Sequence, residues 1–266
     1  QSRDICLPLL PTHREWNIMN DVFKEIKPIT RKFLIGNWKL KPEYISQLMY
    51  ADDIVLLARS PSNLQRNLDT LNSALVKRNM IINQDKTKTM MISRNKKDCK
   101  VKLIDKELEQ VENFKYLGVN FSEDGKIMDE INSRLLNTGR LYHAINRGFI
   151  GKKEISQKTK MAVYNSIYIP TLIYGSEAWI TTEKQKQKIQ TAEMKYLRRV
   201  VGKTKRDKIR NQTIRTSLDI QPLQDRVYQA QLRWFGHLNR MDDQRIAKRA
   251  WEARLGGLDR NRPRGR

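Results

Sequence analysis

The chain has 266 residues, with 52 Lys and Arg against 29 Asp and Glu, a formal net charge of +23, 39% hydrophobic and 8% aromatic residues, and a mean hydropathy of −0.70. That apolar content builds a core and excludes a wholly disordered chain, while no run reaches the roughly 18–20 apolar residues of a membrane span: Ser166–Tyr174 is short and broken by Pro170. Cys6 and Cys99, with His13, His143 and His237, are too few and too scattered for a zinc site or a disulfide scaffold, which excludes structural zinc and favours a reducing compartment.

Residue 1 is Gln and no secretory or transit leader is recognisable, so the sequence reads as a piece of a longer reading frame. In the first stretch, Asn17–Ile26 is expected as a helix with Ile18, Val22 and Ile26 on one face, and Phe33–Ile35 and Tyr44–Ile45 as short strands. Gln47–Tyr50 and Ile54–Ala58 are β-rich runs around Ala51-Asp52-Asp53, a hairpin with two carboxylates at its tip. Ser60-Pro61-Ser62 opens a helix whose Leu64, Leu68, Leu71 and Leu75 form a core-facing stripe ending near Asn79. Asn83-Gln84-Asp85-Lys86 is a turn entering a strand at Thr87–Ile92. Val101–Ile104 and Leu108–Val111 are expected as a hairpin across Asp105-Lys106, with Cys99 in an exposed basic turn, and Phe114–Phe121 as a further strand-like run containing Gly118.

From Ile127 the period changes. Ile131, Leu135, Thr138, Tyr142, Ile145 and Phe149 form a helical stripe, and Arg134, Arg140 and Arg147 fall off it. Further helices are expected at Lys158–Ile169, ending before Pro170, at Glu183–Val201, and at Pro222–Met241 with Leu223, Val227, Gln231, Trp234, Leu238 and Met241 in register. The tail Gly256–Arg266 reads as a disordered basic arm. Charge follows this change: residues 126–266 carry 31 basic and 13 acidic side chains, against 21 and 16 in residues 1–125. A positive excess in one half, with clusters such as Lys203/Lys205/Arg206/Lys208/Arg210 lacking balancing acids, points to a polyanion partner rather than to solubility alone.

Asp-Asp at a turn is by itself an ordinary solvent-exposed turn or half of a divalent-metal site, since two adjacent carboxylates cannot both be buried without a cation. Tyr50-Ala51-Asp52-Asp53 followed by Ile54–Ala58 resembles the Tyr-x-Asp-Asp hairpin of reverse transcriptases of non-LTR (LINE-type) retrotransposons. The resemblance continues through Asn83-Gln84-Asp85-Lys86-Thr87-Lys88 and Phe114-Lys115-Tyr116-Leu117-Gly118-Val119, and through Tyr174–Trp179 and Arg233–Met241, which are similar to the thumb and post-thumb segments of that family. It implies an RNA-directed DNA polymerase of α+β class, with a partial palm of antiparallel sheet and packed helix followed by a helical thumb and basic extension. The implied segments are 1–125 as palm with a primer-contacting hairpin, 126–255 as thumb and extension, and 256–266 as tail.

By the same resemblance Asp52 and Asp53 are metal ligands for Mg²⁺, Lys86 lies near the incoming triphosphate, and Tyr50, Ala51, Phe114, Lys115 and Tyr116 contact the primer. Arg134, Arg140, Arg147, Lys195, Arg198 and Arg199 are the nucleic-acid-binding candidates of the helical half. The implied partners are an RNA template, a DNA primer and dNTP, and a nucleic-acid partner implies an intracellular setting, nuclear or cytoplasmic. Ser2–Leu10 keeps only Asp4 and Pro8-Leu9-Leu10 of the family's nucleotide-pocket segment, with Ser2, Arg3 and Leu7 replacing its Gln-Gly and Ser. The first catalytic Asp and the fingers have no counterpart in the sequence, so the chain alone is expected to be inactive. The alternative is a non-catalytic nucleic-acid-binding remnant. Trp179, Trp234 and Trp251 are read as packing residues, and His237 as a helix-surface residue.

Overall fold

The structure, a computed structural model, describes residues 33–35, 43–45, 47–93 and 98–255. The expected helix at Asn17–Ile26, the Ser2–Leu10 segment and the tail 256–266 lie outside them. In chain order the strands are β1 (Phe33–Ile35), β2 (Glu43–Ile45), β3 (Gln47–Tyr50), β4 (Asp53–Leu56), β5 (Lys88–Thr89), β6 (Lys102–Leu103), β7 (Lys106–Glu107), β8 (Glu109–Gln110), β9 (Asn113–Tyr116) and β10 (Val119–Ser122). The α-helices are α1 (Pro61–Val76), α2 (Met128–Ile145), α3 (Gln157–Val163), α4 (Ile169–Ile173), α5 (Glu183–Val200), α6 (Asn211–Ser217), α7 (Leu223–Arg240) and α8 (Ile246–Leu255). The chain divides into two compact units: Gln1–Met91, Asn95–Val111 and Arg240–Arg266 make the first, and Ile92–Arg94 with Glu112–Asn239 the second. The expected boundary at 125/126 does not coincide with this division. The β9–β10 hairpin belongs with the helices because β10 packs on α2, and α8 belongs with the first unit.

In the first unit, α1 begins where the sequence expects it. Ser60 Oγ accepts the Asn63 N–H at 3.2 Å, and Pro61 stands at a helix position that has no use for an N–H. Its leucine stripe is buried, with Leu68, Leu71 and Leu75 at 5%, 3% and 4% exposure. Leu71, Ala74 and Leu75 pack against Met49, Ile54 and Leu56 of the β3–β4 hairpin, and Leu68 against Cys99, Val101, Leu103 and Leu108. Cys99 is therefore not exposed: its thiol is a core group, and burial pushes its pKa up. α8 contacts β1 and β2, and an apolar crevice of about 430 Å³ is lined by Ile45, Leu48, Leu57, Ile246 and Ala250.

The expected antiparallel sheet is, among the described residues, five two-stranded ladders, and one of them is parallel. The expected strand at Thr87–Ile92 is only β5, which pairs in parallel with β8. The expected hairpin across Asp105-Lys106 closes tighter, with β6 pairing β7 and the Leu108 N–H donating to the Val101 carbonyl at 2.9 Å. Burial explains the change, because Val101, Leu103 and Leu108 all join the Leu68 face of α1, which the wider hairpin would separate.

The helical unit has one core around Ile131, Tyr164, Tyr168, Leu172, Tyr196 and Leu197. Phe114–Phe121 is not one strand but the β9–β10 hairpin, turning at Leu117 (φ 48°) and Gly118 (φ 80°), the positive pair that a two-residue turn demands. The helix expected to stop before Pro170 instead runs through it: a π-helical turn at Tyr164–Tyr168 joins α3 to α4. Pro170 has no N–H to donate, and the wider turn before it resets the ladder while burying both tyrosines. On α7, Leu223, Val227 and Leu238 are buried as the stripe expects, but Trp234 stays 37% exposed, over His237 at 5.6 Å. Trp179 is core, at 4%.

One charged pair sits inside this core. Glu193, with no exposed surface, accepts from Arg215 at 2.5 Å and from the Tyr164 hydroxyl at 3.1 Å. Tyr168 donates to the Ala192 carbonyl and Tyr196 to the Lys160 carbonyl, each at 2.8 Å. Burial pushes all three hydroxyls above the ordinary tyrosine range, Tyr196 to about 12.

Candidate catalytic hairpin and nucleic-acid interface

The β3–β4 register pairs Tyr50 with Asp53 and Met49 with Ile54, leaving Ala51-Asp52 as a two-residue connection. Opposed residues share a face, so Met49 and Ile54 turn to α1 while Tyr50 and Asp53 turn away from it. Asp52 and Asp53 are both exposed, and Tyr50 is 61% exposed. Ala51 has φ 53°, a left-handed conformation that costs a residue with a Cβ about 1–2 kcal/mol. Core burial on one face thus pins a strained tip that carries two carboxylates on the outside.

The donor chemistry suits Mg²⁺, a hard cation that takes carboxylate oxygens. Among the described residues no third His, Cys, Asp or Glu joins the pair. The described residues alone therefore do not close a cation cage.

Lys86, also in the first unit, is exposed at the end of a turn organised by Asn83. The Asn83 side-chain oxygen accepts the Lys86 N–H at 3.0 Å, and its carbonyl accepts both the N–H and the hydroxyl of Thr87, at 3.1 and 2.7 Å. Asn83 and Thr87 thus give the Asn-x-x-Lys-Thr spacing a local physical reason: they fix the backbone on either side of a lysine whose amine projects to solvent.

Phe114, Lys115 and Tyr116 lie on β9, in the helical unit. Phe114 and Tyr116 are half-buried on one face of the hairpin, and Lys115 is exposed on the other. The tip is held from the helices. Arg134 donates through Nη2 to the Gly118 carbonyl and through Nε to Glu130 Oε1 at 2.5 Å, and the second Glu130 oxygen accepts the Asn120 N–H at 2.7 Å. Tyr174 donates its hydroxyl to the Leu117 carbonyl at 3.2 Å, and its ring lies 4.8 Å from the Arg134 guanidinium. A side chain at Gly118 would crowd the tip, since a Cβ there would stand 3.3 Å from the Tyr174 ring. The segment after Tyr174 is tied in turn to α7, where the Gln231 amide donates to the carbonyls of Ser176 and Trp179 at 3.3 and 2.9 Å. Three separate sequence motifs thus join through the Leu117–Gly118 tip, the Tyr174–Trp179 segment and α7.

The basic candidates separate into two kinds. Arg134, at 13% side-chain exposure, is used internally, and so is Arg198, whose guanidinium donates to the Thr204 and Ile209 carbonyls and to the Asn211 side chain, stapling the loop after α5. Arg140, Arg147, Lys195 and Arg199 are exposed. Lys184, Lys188, Lys195 and Arg199 fall on one line along the solvent side of α5, which spans about 22 Å from first to last, roughly two-thirds of a duplex turn. Lys195 lies over the Tyr142 ring at 4.4 Å and 3.3 Å from His143 Nε2, and Arg199 donates to Asn146 at 3.0 Å, so the end of α2 runs beside this ridge. Arg140 and Arg147 stand a turn before and after His143. The exposed Lys203, Lys205, Arg206, Lys208 and Arg210 follow it in the chain. The ridge is a surface of exposed cations on a fixed helix backbone, suited to phosphates rather than to base edges.

Glu130 and His143 carry no role in the sequence reading, and Tyr174 enters it only as the first residue of the Tyr174–Trp179 motif, without its part at the β9–β10 tip. The i,i+4 spacing of Glu130 and Arg134 was the available signal for the first; nothing local signals the others.

Residues 17–121 match the family model described as reverse transcriptase (RNA-dependent DNA polymerase). Over 217 residues the chain is 28% identical to a transposon-derived protein of Caenorhabditis elegans, covering 76% of this chain and 74% of that protein. No solved structure matches. No helix among the described residues is long and apolar enough to cross a membrane. The segment that carries the Asp52–Asp53 hairpin, the Asn83–Thr87 turn and β9 is thus similar to reverse transcriptases, within a longer stretch similar to a transposon-derived protein.

Proposed function

We propose that the chain is part of the RNA-directed DNA polymerase of a non-LTR retrotransposon, in which the β3–β4 hairpin supplies two carboxylates to a Mg²⁺ site and the helical unit holds the primer–template duplex. The observation that carries this reading is the outward presentation of Asp52 and Asp53 on a strained tip whose other face is locked to α1. With a third carboxylate supplied ahead of it, bound Mg²⁺ would bring the charge neutralisation that phosphoryl transfer needs. Asp52 and Asp53 would hold the ion, Lys86 would offer a positive charge toward the triphosphate, and Tyr50 and Ala51 would lie at the primer end. The ridge Lys184–Lys188–Lys195–Arg199 would follow the duplex backbone, which asks for no base-specific contact.

Primer extension on an RNA template tests the reading. The 266-residue chain is compared with the same chain joined to an upstream polymerase segment that carries a further Asp in a strand. Extension is expected from the joined protein only, and Asp52→Asn abolishes it while primer–template binding persists. A joined protein indifferent to Asp52→Asn removes the site assignment, and extension by the chain alone removes its dependence on a third carboxylate. A second reading, a non-catalytic nucleic-acid-binding remnant, draws on the ridge, which lies wholly within the helical unit and needs nothing from Asp52 and Asp53.

A further inference from the structure

We infer that Arg134 and Tyr174 are positioning residues, which hold the Leu117–Gly118 tip so that the β9–β10 hairpin meets a duplex backbone at one fixed place along it. The inference rests on the reading that this hairpin contacts the primer. An isolated two-stranded hairpin is marginal in water, yet this one is fixed at three points along its turn and second strand. Leu117 is held by the Tyr174 hydroxyl, Gly118 by the Arg134 guanidinium and Asn120 by Glu130. The three are one assembly. Glu130 is 1% exposed and bridges Arg134 to the strand, and Arg134 lies against the Tyr174 ring.

The fork geometry of the guanidinium is what allows one side chain to take the carbonyl and the carboxylate together, which an ammonium cannot do in a plane. All three anchors bond backbone atoms, and none of them occupies the side chain of Lys115 or Phe121. Lys115 is exposed, and Phe121 on the opposite face is 45% exposed. A tip anchored through its main chain, with an exposed lysine on one strand and a half-exposed aromatic on the other, is arranged to set where those side chains fall rather than to bury them.

The test uses the full chain with a photo-reactive benzoylphenylalanine at Phe121 and a labelled RNA–DNA duplex whose crosslinked nucleotides are mapped. In the otherwise native protein the crosslinks are expected at one position. Arg134→Ala is expected to spread them along the duplex and to lower the yield at the native position about tenfold, the worth of a charge-assisted hydrogen bond. Total duplex affinity is expected to change no more than about twofold, because the ridge supplies it. Arg134→Lys, which keeps the charge and loses the fork, is expected to fall between.

Tyr174→Phe keeps the ring and the Arg134–Glu130 pair and loses only the Leu117 contact, so it carries the test if Arg134→Ala unfolds the hairpin; a smaller spread is expected. A single sharp position that persists in both Arg134→Ala and Tyr174→Phe overturns the positioning role alone. Absence of crosslinks in the native background, with the duplex still bound, overturns instead the reading that the hairpin meets the primer, and this inference with it.

Discussion

Replacing Arg215 with Met strips Glu193 of its cation inside the helical core. The carboxylate has no exposed surface, and among the described residues the Tyr164 hydroxyl is then its one remaining side-chain donor. Removing one partner of a buried pair costs roughly 3–5 kcal/mol, because the other charge is left in a medium that solvates it poorly. At about 2 kcal/mol per molar urea, this moves the unfolding midpoint of the helical unit down by about 2 M.

The complementary variant removes the whole network. Glu193→Leu, Arg215→Met and Tyr164→Phe together delete the charges and the hydroxyl that would otherwise lose its acceptor, and such replacements are commonly neutral or stabilising by about 1–4 kcal/mol. The pair is not fully satisfied even in the native protein, since the Arg215 Nε–H has no partner among the described residues, which favours the apolar replacement. Hydrogen exchange in urea, read on peptides from 183–217, reports this unit apart from the other. A single variant whose midpoint falls by less than about 0.5 M, or a triple variant that falls as far as the single, refutes the argument that desolvation governs this site.

Gly118→Ala is expected to cost about 1–2 kcal/mol, since φ is 80° and the new methyl meets the Tyr174 ring; a calorimetric midpoint unchanged from native contradicts the turn assignment. Converting Lys184, Lys188, Lys195 and Arg199 together to Gln is expected to reduce the slope of log K against log salt for duplex binding by about 3–4, with the fold retained by circular dichroism, and an unchanged slope places the phosphates elsewhere. Alkaline titration is expected to show tyrosines that ionise only with unfolding. The hydroxyls of Tyr164, Tyr168 and Tyr196 have folded pKa values above the ordinary 10, so their contribution to stability is complete below pH 10 and is lost as pH rises through the folded values. Tyrosinate absorbance that develops fully near pH 10 while the helices persist contradicts their burial.

The parts of this fold legible in the sequence are those decided locally. Ser60-Pro61 marks the start of α1 and four leucines its inner face, while its end falls at Val76 rather than near Asn79; the β-rich runs around Ala51-Asp52-Asp53 mark the β3–β4 hairpin with carboxylates at its tip, though not the register that takes Asp53 into β4. Parallel pairing of β5 with β8 is not legible, because its partners lie 21 residues apart and are the polar or charged Lys88, Thr89, Glu109 and Gln110, with no apolar pattern to mark a strand. Cys99 was expected at the surface because its neighbours in sequence are Lys and Asp. Its burial is decided by Leu68 and Val101, which the sequence does not bring beside it. Arg134 and Arg198 are engaged inside the protein for one shared reason: turns at Gly118, Thr204 and Ile209 present carbonyls that need donors, and a nearby guanidinium meets that need. The candidate catalytic pair was legible from its motif, whereas the support of the β9–β10 tip by Tyr174 was not.

The order of the segments has a consequence for synthesis. The first compact unit begins with the chain but is finished by α8, after the whole helical unit has been made. Between Val111 and Ala250 a ribosome working at about 5–20 residues per second needs roughly 7–28 s. Throughout that interval Ile45, Leu48 and Leu57 face a crevice whose other wall, Ile246 and Ala250, does not yet exist. The nascent chain must carry an apolar opening past a completed helical unit, and a frameshift or stop codon just beyond Arg240 would leave that opening permanent. Copies truncated there would keep every motif from Tyr50 to Asn239 and still lose the closure of the unit that holds Asp52 and Asp53.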